Sequence, residues 1–218
     1  MIGYAILFAM QAAAPQPALD PKPAPWPDQE RELRNAGAFD QTNTPGARKM
    51  MATLAACVAD TSTAKVSDVL RRDFRTSEYR SGLRNLMTAN DGCSRKAKLR
   101  GSIRMEGLPF AAALAETMLE RDATPLNTRL AKAAAGTPAP TYSPSDQIAM
   151  CVARSVPDDV AALFASEPGS ASETAELAKI EKVAAMCARG KKMEISPIGL
   201  RSIVATASYR LVASQKAV

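Results

Sequence analysis

Ala56-Cys57-Val58-Ala59 recurs as Met150-Cys151-Val152-Ala153, and the shift of 94 residues between them decides how the chain is read. Each of these cysteines is followed 36 residues later by a second, Cys93 and Cys187. The same shift carries Val66 onto Val160, Leu70 onto Phe164, Leu83 onto Leu177 and Leu86 onto Ile180. After the second cysteine the shift becomes 92, so that Ile103 meets Ile195, Gly107 meets Gly199, Leu108 meets Leu200, Ala115 meets Ala207 and Leu119 meets Leu211. Self-similarity at a fixed period marks a repeated supersecondary unit. Two tandem copies of one small unit are expected, over residues 44–122 and 144–218, with a linker over 123–143.

Within each copy the apolar residues keep helical spacing. Ile148, Cys151 and Val152 lie at i, i+3 and i+4, as do Val160, Leu163 and Phe164, and then Leu200, Ile203 and Val204. Four helices per copy fit this pattern, at 45–59, 64–73, 77–91 and 107–121 in the first and 145–155, 157–166, 172–188 and 198–213 in the second. Ser143-Pro144, Pro157-Asp158-Asp159 and Ser172-Glu173 supply starts, because proline and acids are tolerated in a first turn. The linker is rich in Ala, Pro and Thr, with a short helix expected near Leu126 to Ala135. Ala, Leu, Met and long charged residues dominate while aromatics are only 5%, so the local preference is for helix and an all-α fold is expected.

The cysteines fall on the core stripes of these helices: Leu86 to Cys93 and Ile180 to Cys187 each span seven residues, about two turns. Cys57 is expected to bond Cys93, and Cys151 to bond Cys187, inside their units. A unit of some 75 residues has a core that rarely supplies more than a few kcal/mol, so small exported domains are commonly stapled. Closing a loop of this length adds about 3 to 4 kcal/mol in the chain-entropy account. No C-x-x-C pair is present, and a structural role is preferred to a redox one.

Export is also expected from the N-terminus. Met1 to Met10 is an apolar run, and Gln11-Ala12-Ala13-Ala14 gives the small-residue ending of a signal peptide over residues 1–14. The run is shorter than the roughly 20 apolar residues of a membrane-spanning helix. No Lys or Arg precedes it, and Pro15 follows the best cleavage site, two departures from the usual pattern. Residues 15–43 open with six prolines among thirteen residues, from Pro15 to Pro27, which reads as an extended spacer that contains Trp26, the chain's one tryptophan.

The search for reactive groups returns little. The chain has no histidine, which removes the commonest general base, the Ser-His-Asp and Cys-His arrangements and the usual zinc sites. No cofactor is implied. Ser62-Thr63-Ala64-Lys65 matches the S-x-x-K string of serine β-lactamases, but the companion S-D-N and K-T-G strings are absent and the second copy lacks the pair. Glu116 and Glu120 share a helix face, and Asp158 and Asp159 sit together at a helix start, where negative charge is stabilised by the helix dipole. A glycosidase would need its two carboxyls across a cleft lined by aromatics, which this composition does not supply.

The net charge of +6 is unequally shared: residues 44–122 carry 14 basic against 9 acidic residues, and residues 143–218 carry 9 against 8. Much of the excess follows the second cysteine of each copy, as Arg95, Lys96, Lys98 and Arg100 with Arg104 beyond, and as Arg189, Lys191 and Lys192. Paired basic loops suit the phosphates of lipid, lipopolysaccharide or nucleic acid, although cations after a helix also stabilise its C-terminus. Few aromatics interleave with them, so base stacking is unsupported and nucleic acid is not an expected partner.

Cys-Val-Ala, a mid-unit Ser-x-x-Glu stretch, a second cysteine and a closing helix such as Gly199-Leu200-Arg201 to Tyr209-Arg210 resemble uncharacterised exported proteins of alphaproteobacteria. The resemblance spans each unit and implies export, but brings no activity. Copy one departs from it, with Pro109 in place of Arg201 and Thr117 in place of Tyr209. The expected function is a non-enzymatic periplasmic or secreted interaction module with an envelope protein or anionic envelope component as partner. The alternatives are an anion-binding protein using the basic loops and a histidine-free cell-wall hydrolase using Ser62 or Glu116.

Overall fold

A computed structural model describes residues 45–97, 107–190 and 194–215. The signal peptide, the spacer with Trp26, and Lys98, Arg100, Arg104, Lys191 and Lys192 lie outside the described residues. The described residues are all-helical, without a strand. In chain order the helices are α1 (Pro45–Arg71), α2 (Ser77–Ala89), α3 (Asp91–Lys96), α4 (Leu108–Glu120), α5 (Leu126–Ala135), α6 (Pro144–Ser155), α7 (Pro157–Ala165), α8 (Ala171–Cys187) and α9 (Pro197–Ser214).

Local chemistry explains where they start. The hydroxyls of Thr76, Ser143, Ser170 and Ser196 accept from the N–H groups of Tyr79, Asp146, Glu173 and Gly199, so α2, α6, α8 and α9 each begin on a capped turn. Proline occupies the first turn of α4, α6, α7 and α9, where its missing N–H costs nothing. Asp158 and Asp159 lie in the first turn of α7.

The helices expected at 45–59 and 64–73 run together as α1, bent at Ser62 (φ −133°, ψ 36°). The corresponding break between α6 and α7 falls at Val156 (φ −136°, ψ 64°), 94 residues on. The helix expected at 77–91 is broken at Asn90 (φ −122°, ψ 38°) into α2 and α3, whereas α8 continues through the matching position, Ala184. Asn90 is buried, and its amide donates to the Leu86 carbonyl at 2.7 Å and to Ser62 Oγ at 3.1 Å. The two bends of the first half are thus tied by one polar pair, where the second half carries Val156 and Ala184.

Both disulfides form as expected, Cys57–Cys93 and Cys151–Cys187, with Cα–Cα distances of 5.6 and 6.0 Å. They join α1 to α3 and α6 to α8 inside their own halves. Even so, the halves pool their apolar residues in one core. Helix α9 is its centre: every residue from Gly199 to Val212 is buried, and it packs on α4, α6, α5 and α1. Helix α4, buried at Leu108, Phe110, Leu114 and Leu119, lies between α9 and α1. The linker helix α5 packs on α7, α6 and α9 through Leu130 and Ala133. No helix among the described residues is long and apolar enough to cross a membrane.

Candidate functional site

A helix buried all round and carrying two arginines must give each guanidinium a partner, because an unpaired charge in the interior is costly. Arg201, with a side chain only 5% exposed, is held from both halves. Its Nε and Nη2 donate to the two oxygens of Glu116 on α4 at 2.9 and 2.7 Å. Its Nη1 donates to Glu173 on α8 at 2.8 Å, and the guanidinium lies over the Phe164 ring at 5.9 Å from the centroid. Glu173 also takes Arg48 of α1, whose Nη1 donates at 2.6 Å, and the Gly169 N–H at 2.7 Å. Gly169 has φ +81°, a conformation glycine adopts without strain, and its place against Pro45 leaves no room for a Cβ.

The chain Glu116, Arg201, Glu173, Arg48 therefore crosses between the halves twice. Burial pushes the Glu173 carboxyl up, but the Arg48 hydrogen bonds, the Gly169 N–H and the charges of Arg48 and Arg201 outweigh it and leave the group below its ordinary value. For Arg201, burial acts downward and the bonds and charges of Glu116 and Glu173 upward, with a net rise.

The second arginine, Arg210, pairs with the buried carboxylate of Asp146 on α6. Its guanidinium lies 5.7 Å from the Phe74 ring and 5.5 Å from the Tyr142 ring, and these two rings meet edge to face with centroids 5.5 Å apart. Phe74 follows α1 and Tyr142 precedes α6, so this stack is a further tie between the halves.

Three members of this first network, Arg48, Glu116 and Arg201, line an open cleft of about 160 Å³ between the start of α1, α4 and the start of α9. Ala47, Met51, Ala112, Pro168 and Ile198 give it apolar walls, and Arg48, Glu116, Glu120 and Arg201 are its charged lining. Glu120 is exposed at the rim, one turn from Glu116. Desolvation against the cleft raises its carboxyl, the Glu116 charge raises it further, and Arg201 opposes both.

No protein-family model, curated protein or solved structure matches this chain. Ser62 Oγ is engaged with Asn90 at the bend of α1, while Lys65 is exposed. Glu116 has both oxygens on Arg201. The exposed Arg95 lies 3.6 Å from Asp91 within α3, and Lys96 and Arg189 are also exposed. Arg189, two residues past the end of α8, takes φ +50° and donates its N–H to the Met186 carbonyl at 3.1 Å, closing that helix. Nothing in the sequence pattern marks Arg48 and Glu173 as partners. A signal was present in Arg201 and Arg210, the two charged residues of the eighteen-residue run Pro197–Ser214.

Proposed function

We propose that this chain is exported to an oxidising compartment, the periplasm or the outside, and serves there as a non-enzymatic interaction module of the cell envelope, built from two tandem copies of one helical unit. The observation that carries the reading is the pairing of all four cysteines within 36-residue spans, Cys57 with Cys93 and Cys151 with Cys187. Such bonds persist where the environment is oxidising and are rare where thiols are kept reduced. The apolar N-terminal run and the resemblance to exported alphaproteobacterial proteins point the same way. The side chains singled out as reactive are committed elsewhere, Ser62 to Asn90 and Glu116 to Arg201. That favours a binding role over hydrolysis.

The test is recovery of the protein from its native cells with free thiols blocked, followed by intact mass, a non-reducing peptide map and mild co-purification. A loss of about fourteen N-terminal residues, of the order of a signal peptide, with both disulfides present and a stoichiometric envelope protein recovered, is the expected result. An intact Met1 with four blocked thiols would overturn the compartment. Repeated absence of a stoichiometric partner under mild conditions would overturn the interaction role.

An anion-binding role is favoured by one specific feature: Arg95 and Arg189, 94 residues apart, are both exposed two residues past the second cysteine of each half. It requires salt-sensitive binding to anionic vesicles that weakens when Lys96, Lys98, Lys191 and Lys192 are replaced by Ser. Binding unchanged by those replacements would rule it out.

A further inference from the structure

The cleft between α1, α4 and α9, at about 160 Å³, is near the size of a cavity that takes up one benzene molecule (~150 Å³). Its charge balance says which kind of group it suits. The fork of Arg201 is filled by Glu116 and Glu173, and the Nη donors of Arg48 are filled by Glu173. The two cations of the lining are thus compensated by two carboxylates and have no fork left for an incoming anion. Ser202 gives its hydroxyl to the Ile198 carbonyl at 2.8 Å. Glu120, by contrast, makes no hydrogen bond or ion pair with another described residue. One carboxylate without an ion-pair partner among the described residues therefore lines a cleft whose apolar walls are Ala47, Met51, Ala112, Pro168 and Ile198.

We propose that this cleft binds a short primary aliphatic amine in its ammonium form, with Glu120 as the counter-ion and the alkyl chain against Met51, Ala112 and Ile198. The inference goes beyond the interaction role and does not depend on the compartment. An ammonium placed at Glu120 relieves the repulsion between Glu120 and Glu116 and regains hydrogen bonds for a carboxylate that the cleft wall partly desolvates. A carboxylate ligand of the same length would meet Glu120 as a like charge. Because Glu120 sits above its ordinary pKa, amine binding weakens as pH falls through that raised value. The other charged groups facing it are Glu116 on α4, Arg201 on α9 and Arg48 on α1, each of which has an ion-pair partner.

The experiment is a titration of the oxidised full-length protein with n-hexylamine, n-hexanol and hexanoate, followed by backbone amide NMR. Saturable shifts are expected with hexylamine at Ala113, Thr117 and Glu120. Glu120→Gln should weaken the affinity by about tenfold or more, the usual worth of a charged hydrogen bond. Ala52→Leu, which fills the cleft from an exposed position on α1, should abolish binding with Glu120 in place, and it decides the matter if Glu120→Gln fails to fold. Hexanol or hexanoate binding as tightly as hexylamine would overturn the proposal, as would unmoved cleft signals or undiminished binding by Glu120→Gln. The titration uses the purified chain alone, so its failure leaves the interaction role standing, and failure of co-purification leaves the amine site standing.

Discussion

Replacing Arg201 by Met removes the charge that joins α4, α8 and α9 while roughly keeping the volume. The structure sets the size of the effect. Arg201 is 5% exposed, Glu173 is 5% exposed and Glu116 is 17% exposed at the side chain. Deleting one partner of a buried pair costs about 3 to 5 kcal/mol, because the remaining charge is left without compensation. Glu173 keeps Arg48 and the Gly169 N–H, so Glu116 bears most of the loss, and its access to the cleft lets water soften it. The expected cost is therefore at the lower end, about 3 kcal/mol, or a drop of about 6 to 12 °C in Tm for a chain of this size. Urea and thermal unfolding followed by far-ultraviolet circular dichroism, with disulfides intact, would measure it. Adding Glu116→Leu should recover most of the loss, since an apolar pair of similar volume often matches a buried ion pair. A single-variant cost below about 1 kcal/mol, the range of exposed pairs, would refute the claim that this network is desolvated and joins the halves.

Replacing Cys151 and Cys187 together by Ser should cost about 2 to 4 kcal/mol, and because the halves share a core the variant should still unfold in one transition; two separated transitions in urea would contradict that. Asn90→Ala should destabilise by about 1 to 3 kcal/mol through loss of its buried bonds, whereas Ser62→Val combined with Asn90→Ala, which copies Val156 and Ala184, should lie close to wild type in the same assay. Glu173 titrates lower in the folded than in the unfolded chain, so its contribution is full above the unfolded carboxylate pKa and is lost as pH falls through the folded value. Glu173→Gln should accordingly flatten the acid limb of stability against pH, and an unchanged slope would show that the Arg48 and Arg201 bonds do not hold its proton off.

Much of this architecture was legible because core residues recur at fixed offsets. The shift of 94 located both disulfides, and the linker helix was placed where α5 is found. The break expected between 59 and 64 is found as the bend at Ser62, a single residue outside helical φ and ψ within a continuous apolar stripe. The break at Asn90 was not legible: a buried asparagine that bonds a carbonyl four residues back competes with the helix itself, and no periodicity records that. The cleft was least legible. Glu116 and Glu120 were visible as neighbours on one face, but their separate fates depend on Arg201, 85 residues from Glu116, filling one carboxylate and not the other.

The shared core is clearest in the closing helices. A small unit standing alone would leave an outer face of each helix exposed to water. Pro197–Ser214 exposes none, since its buried run from Gly199 to Val212 covers more than three full turns and takes Arg201, Ser202, Thr206 and Arg210 inside with it, and Leu108–Glu120 is apolar from Leu108 to Ala115. Each closing helix can bury its second face only against the other half. The disulfides therefore do not make two independent units: they fix the loops within each half, while Arg48–Glu173 and Arg201–Glu116 fix how the halves meet. A fragment spanning residues 144–218, with Cys151 and Cys187 oxidised, should consequently be poorly packed and prone to associate through α9. Sedimentation and amide NMR dispersion of that fragment provide the check, and a monomer with a well-dispersed spectrum would show that α9 finds a second face within its own half.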